Sequence, residues 1–154
     1  MTGKPTDQAA QTLFDRTAIR ATLENYLSSV DRRDWTAYGA CFTEDARVQF
    51  DHGQPELVVG RKAIVQRAEL RRDRPISNHL LSNTFIEIDG DHARARTNCI
   101  AHLVVVRTGK SFVVVRGLEY DDELIADTGR VWQISRRSHR PVWQFEAPST
   151  PIGY

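Results

Sequence analysis

Cysteine is scarce in this 154-residue chain. Cys41 and Cys99 stand far apart, outside any Cys-x-x-Cys or Cys/His spacing. That excludes a disulfide framework and a paired-cysteine metal site, and leaves two buried, reduced thiols as the expectation. A surplus of either charge is also missing. Lys and Arg total 21 against 20 Asp and Glu, a formal net charge of +1, so no broad positive field exists to draw nucleic acid or an anionic membrane. No apolar run approaches the ~20 residues of a membrane span, and the opening "MTGKPTDQAAQT" lacks the apolar stretch of a signal peptide. A soluble, cytoplasmic location is expected. The HxH, HExxH, GxSxG and glycine-rich phosphate-loop patterns are absent as well. The expectation is therefore no metal, no cofactor and no activated nucleophile.

What is present suits one domain with one core. Residues 1–11 read as a flexible N-terminal segment. From Asp15 to Val30 the apolar positions Ile19, Leu23, Tyr26, Leu27 and Val30 follow helical spacing. Asp34 reads as the N-cap of a second, short helix carrying Trp35, Tyr38 and Phe42. "EDARVQF" and "ELVVG" read as strands around the turn "DHGQPE". "RKAIVQRAELRRD" reads as a third helix with Ile64, Ala68 and Leu70 inward, ended by Pro75.

Beyond Pro75 the chain becomes rich in β-branched and aromatic residues, in segments parted by "DGD", "TGK" and "DTG". Helices followed by such a meander predict an α+β fold, with helices on one face of an antiparallel sheet. Strands as long as 93–107 and 111–126 exceed the usual ~5–6 residues. The sheet must then curve strongly through bulges, and helices across its mouth enclose a pocket. Three prolines in "RPVWQFEAPSTPIGY" predict an irregular tail over 141–154, anchored by Trp143 and Phe145.

Few residues stand out as chemistry. Asp31 lies at the edge of the apolar stripe of the first helix, where a carboxylate caps, faces water or finds a partner. Tyr26 on its own reads as a core aromatic. His79 opens a strand, and His102 sits in the apolar "CIAHLVVVR", where its ring needs a hydrogen bond. Parity gives a warning: Arg94 and Arg96 put the even positions towards water, yet His102 is even too. His139, in the basic "SRRSHR", is expected to be exposed. Of Asp121 and Asp122, one faces either the pocket or an exposed edge.

Taken together, "AIRATLENYLSSVDRRDWTAYGACFTEDARV", "HLLSNTFIEIDGDHARA" and "GLEYDDELIADTGRVWQISRR" resemble the SnoaL-like branch of the nuclear transport factor 2-like superfamily, over roughly residues 12–140. The resemblance implies a strongly curved sheet with about three helices around a cone-shaped pocket. Scytalone dehydratase and bile-acid 7α-dehydratase are similar in placing an aspartate where Asp31 stands and a histidine where His79 stands. They also carry a second polar residue near His102. Tyr26 matches a tyrosine of the bile-acid enzyme. The scytalone enzyme has its tyrosine where this chain has Val30, and its substrate-binding asparagine aligns near Asp121.

The resemblance implies a cofactor-independent dehydratase or lyase acting on a small cyclic or aromatic hydroxy-ketone. In that scheme His79 is the base, oriented by Asp31. Tyr26 donates to the carbonyl oxygen and His102 protonates the departing hydroxyl. Trp35, Phe85, Asp121 and Trp143 would bind substrate. An isomerase or polyketide-type cyclase would use the same pair, and a non-catalytic binding or assembly module is the rival class. Relatives of this kind assemble as dimers or trimers. The runs "LVVV" and "FVVV" likewise hold too many large residues for one core face, so a homodimer or homotrimer is expected.

Overall fold

A computed structural model describes residues 7–70 and 76–150, apart from the side chain of His52. Pro75 and the run 71–74 lie outside the described residues. Helix α1 spans Asp7–Arg32 and buries Ile19, Leu23, Tyr26 and Leu27 along the stripe set by their spacing. It starts two turns before the expected boundary, because "DQAAQTLF" is made largely of residues that tolerate a helix without burial. Its C-terminus is a Schellman turn in which Arg33 N–H reaches Val30 O and Asp34 N–H reaches Ser29 O. Asp34 then caps α2 (Trp35–Ala40), accepting the Ala37 N–H at 2.9 Å. Phe42 falls outside that helix and opens β1 (Phe42–His52), which turns at Gly53 into β2 (Gln54–Val59). Helix α3 (Arg61–Glu69) buries Ile64, whereas Leu70, expected inward, lies past its end and is exposed.

Four long strands follow: β3 (Ile76–Asp89), β4 (His92–Arg107), β5 (Lys110–Ala126) and β6 (Trp132–Pro148). With β1 and β2 they make one sheet in the order β2-β1-β6-β5-β4-β3. The fold is α+β as expected, but the sheet is mixed, because β1 runs parallel to β6. Hairpin signals announce antiparallel neighbours only; a pairing between the two ends of the chain has no local signature. Register shifts fall between Leu81 and Thr84 in β3, between Gly117 and Leu118 and between Glu123 and Leu124 in β5, and between Phe42 and Arg47 in β1. These irregularities let the sheet curve. The concave face of β4 is lined by the small residues Ala93, Ala95, Thr97, Cys99 and Ala101, which suits the crowded inner side of a bend.

Two boundaries differ from expectation. Residues 7–11 are helical rather than a flexible lead. The supposedly irregular tail continues β6 as far as Pro148, paired with β5 throughout. Pro141 is tolerated for two reasons. It sits at the bulge opposite Gly117 and Leu118, and β1 pairs with β6 only up to His139, so beyond that point the missing N–H faces an unpaired edge. Trp143 lies flat on Gly117, where an added Cβ would come within 2.3 Å of the indole. Among the described residues no helix is long and apolar enough to cross a membrane.

Candidate active site

The last turn of α1 and the first residues of β3 meet beside a pocket of about 830 Å³, open mouth included. Asp31 reaches across to β3, and Ser77 and His79, two apart on a strand, point to the same side and meet it. Asp31 Oδ1 lies 2.6 Å from His79 Nδ1 and accepts the Ser77 hydroxyl at 2.7 Å, while Oδ2 accepts the His79 backbone N–H at 2.8 Å. Burial raises the Asp31 carboxyl, but the bonds from His79 and Ser77 and the His79 charge outweigh it, so the group sits below its ordinary 3.8. Asp31 is thus ionised and acceptor-only. Since an ionised carboxylate can only accept, His79 Nδ1 donates to Asp31, and Nε2 is the ring nitrogen left to meet a substrate on a ring that lines the pocket.

Aromatic residues build the rest of the wall. Tyr26 packs on Tyr38 at 5.2 Å and edge-on to Tyr120 at 6.0 Å, and Trp35 stands edge-on to Tyr38 at 5.9 Å. Burial and the neighbouring Tyr26 push the Tyr38 and Tyr120 phenols well above the ordinary 10, so both stay protonated hydrogen-bond donors. Behind them Arg137 and Asp122 form a fully buried two-point ion pair at 2.6 and 2.8 Å, and the guanidinium lies over the Tyr26 ring at 3.9 Å.

Of the eight residues singled out in the sequence, the structure brings Asp31, His79, Tyr26 and Trp35 together. The other four face away. On β4 the odd positions point inward without interruption. Ala101 and Leu103 therefore line the pocket and His102 turns to the outer face; no register shift intervenes. The bulge after Leu81 switches the inward positions of β3 from odd to even, which leaves Phe85 outside and 69% exposed. Asp121 lies between inward-facing Tyr120 and Asp122 and is exposed near Arg96, 3.7 Å away. Trp143 is half-exposed, on the outer side of Gly117.

Other residues line the pocket without having been singled out: Ser77, Tyr38, Tyr120, Arg33, Arg67, Arg116 and His139. His139 is not exposed as expected but packs between Phe50 at 5.4 Å and Tyr120 at 5.0 Å. The i, i+2 spacing of Ser77 and His79 was a usable signal. His139 had none, since the pairing of β6 with β1 turns it inward.

A curved α+β sheet closed by helices over an aspartate–histidine pair defines the class, and the chain belongs to the SnoaL-like domain family, whose profile matches residues 11–138. The expected placement in the SnoaL-like branch of the nuclear transport factor 2-like superfamily therefore holds. The chain is 29% identical over 134 residues to the uncharacterized protein Rv2910c of Mycobacterium tuberculosis, a match spanning 86% of this chain and 88% of that one. It is similar in structure to a putative scytalone dehydratase from Novosphingobium aromaticivorans, with a TM-score of 0.76 and 21% identity over 93% of this chain and 96% of that one. A hexachlorocyclohexane dehydrochlorinase, LinA type 2, superposes with a TM-score of 0.78 and 18% identity over 93% and 94% of the two chains. At these identities the two structures establish the shared fold.

Proposed function

We propose that the protein is a cofactor-independent lyase, a dehydratase of a small cyclic or aromatic hydroxy-ketone. One observation carries this reading: the 2.6 Å contact between His79 Nδ1 and Asp31 in a pocket walled by aromatic rings. His79 Nε2 removes a proton next to the substrate carbonyl, and Asp31 stabilises the imidazolium as it forms. The C–H electron pair moves towards the carbonyl, and the developing oxyanion is met by the Tyr26 hydroxyl, which lines the pocket. The enolate then expels the β-hydroxyl, which takes the proton from His79 and leaves as water. His102 has no part in this scheme, because it faces the other side of the sheet. The dehydratase and dehydrochlorinase among the structural neighbours both carry names for eliminations, which fits a pocket built for proton abstraction.

A hydrogen-bonded dyad inside an open pocket supports catalysis over a passive binding module, in which these two side chains would have no reason to meet. An isomerase or cyclase begins with the same proton abstraction, and the product distinguishes them. The test is a panel of cyclic and aromatic hydroxy-ketones, followed by absorbance of the new unsaturation and by mass for loss of water. Asp31→Asn and His79→Ala are each expected to lower kcat by at least about 10²-fold with unchanged circular dichroism. Full activity in both variants on a substrate the wild type turns over sinks the assignment.

A further inference from the structure

The Asp31–His79 pair has a third member at the pocket wall. Ser77 lies two residues before His79 on β3, so the two side chains point to the same side. Both bond the same oxygen: Asp31 Oδ1 accepts the Ser77 hydroxyl at 2.7 Å and meets His79 Nδ1 at 2.6 Å. The Ser77 oxygen is thereby fixed beside the imidazole, and the residue lines the pocket. Asp31 does not need Ser77 to keep its place. Its other oxygen accepts the His79 backbone N–H at 2.8 Å, so the carboxylate is held at both ends without the serine.

The direction of that bond sets what Ser77 offers a ligand. A hydroxyl has one hydrogen and two lone pairs. The Asp31 carboxyl is ionised and can only accept, so the one hydrogen of Ser77 points at Oδ1. Towards the pocket the serine then presents lone pairs alone. It is an acceptor that cannot turn into a donor without breaking a charge-assisted bond. Such acceptors are scarce here. No Asp, Glu, Asn, Gln or Thr is among the described lining residues, and Arg67 and Trp35 carry donors only.

We infer that Ser77 reads the departing group of the substrate and selects a hydroxyl over a halide. This rests on the elimination proposed above, and it assigns the leaving group a partner. In that step the β-hydroxyl oxygen takes the proton from His79 Nε2 as its bond to carbon breaks. The hydroxyl's own hydrogen is donated to Ser77 Oγ, which turns an oxygen lone pair towards the incoming proton. The product water leaves with both hydrogens, and Ser77 keeps its own on Asp31. Chloride or bromide at the same place has no hydrogen to give, so its lone pairs would face those of Ser77. A site that hydrogen-bonds a substrate hydroxyl rejects an analogue lacking it, because the acceptor is left unmet.

The test has a binding arm that involves no turnover. Catechol and ortho-chlorophenol are titrated calorimetrically; each has one hydroxyl for His79 Nε2, and only catechol has a second for Ser77. Catechol is expected to bind the wild type about fivefold tighter or more, the worth of one hydrogen bond. Ser77→Ala should reverse the order, because chlorine is the more apolar substituent and the wall is then apolar too. Ser77→Thr, which keeps the hydroxyl, should preserve it. A merely structural serine would weaken both ligands together. In the turnover arm Ser77→Ala should lower kcat/KM for a β-hydroxy ketone by about tenfold and leave that for its β-chloro counterpart unchanged, since the dyad is intact. Chlorophenol bound as tightly as catechol by the wild type, an order untouched by Ser77→Ala, no binding of either, or an equal loss for both ketones overturns the inference. An order that follows Ser77 in a protein that eliminates from neither ketone upholds Ser77 as the reader of a hydroxyl while the lyase reading falls.

Discussion

Arg137 shows how much of the site is held from behind. Its side chain is 1% exposed and that of Asp122 is 0%. Burial works against the charge on each, raising the Asp122 carboxyl and disfavouring the guanidinium, while the pairing keeps Arg137 ionised. Nη1 finds no hydrogen-bond acceptor among the described residues, and the guanidinium lies instead over the Tyr26 and Tyr120 rings at 3.9 and 4.4 Å. Removing one partner of such a pair strands a buried charge. Arg137→Met is therefore expected to cost about 3–5 kcal/mol in urea unfolding, while Arg137→Met combined with Asp122→Leu recovers most of that loss. If the double variant is no more stable than the single one, the cost comes from packing around the rings and not from the charge.

The same pair marks a limit on reading residues from sequence. "SRRSHR" looks like a solvated run because charge is normally exposed, and "YDDE" leaves open whether one of its aspartates turns inward. A buried salt bridge becomes visible only once strand pairing sets Asp122 opposite Arg137. Asp31 and His79 were legible because each stood at an unusual place in its own element and a family pattern joined them. His102, equally conspicuous, was misplaced because parity alone decides its side, as Arg94 and Arg96 already warned.

At the scale of elements, the helix stripe, the Asp34 cap and the strands over 93–107 and 111–126 were written in local patterns and formed where those patterns put them, whereas the end of α3 and the run of β6 through 141–148 did not. The latches between elements had no such pattern. Asp15, 2% exposed on α1, accepts Arg130 Nε at 3.0 Å and Trp132 Nε1 at 3.1 Å from the turn and strand 115 to 117 residues away, and Arg130 Nη2 closes on its second oxygen. Thr22 adds a bond to the Trp132 carbonyl at 2.8 Å. Burial raises the Asp15 carboxyl, but the bonds from Arg130, Trp132 and Gln11 prevail and hold it below its ordinary 3.8. A carboxyl lowered in the folded state contributes stability that is fully present above the unfolded value, here about 3.8, and is lost as pH falls through the folded value. Asp15→Asn should therefore lower stability at pH 7 by about 1–3 kcal/mol and flatten the acid limb below pH 4. Urea midpoints measured at pH 7 and between pH 2 and 4 check both parts. An acid limb as steep as the wild type's shows that other carboxyls, Asp31 among them, govern acid unfolding.

Over the whole molecule the sheet has two unlike sides. The concave side carries the helices and the pocket. The convex side leaves Ile76, Leu80, Val106, Trp143 and Phe145 about half exposed or more, with Trp143 and Phe145 stacked at 6.3 Å. This explains "LVVV" and "FVVV": alternate residues of each run face opposite sides, and both sides need cover. Beside the apolar area lie Arg96 with Asp121, Arg136 with Glu123 and Arg140 with Glu119, each cation set against an anion on the neighbouring strand. We propose that the occupant of this face is a second copy of the chain. A border already neutralised pair by pair meets its own image without like-charge repulsion, and an isologous contact needs that self-complementarity. Trp143→Glu with Phe145→Glu should turn the assembly into monomers by light scattering, with circular dichroism unchanged. Gly117→Ala, whose new Cβ would displace the indole, should weaken assembly in the same direction. A wild type that is monomeric at tens of micromolar sinks the proposal, because two such large aromatics left in water would then need a different partner.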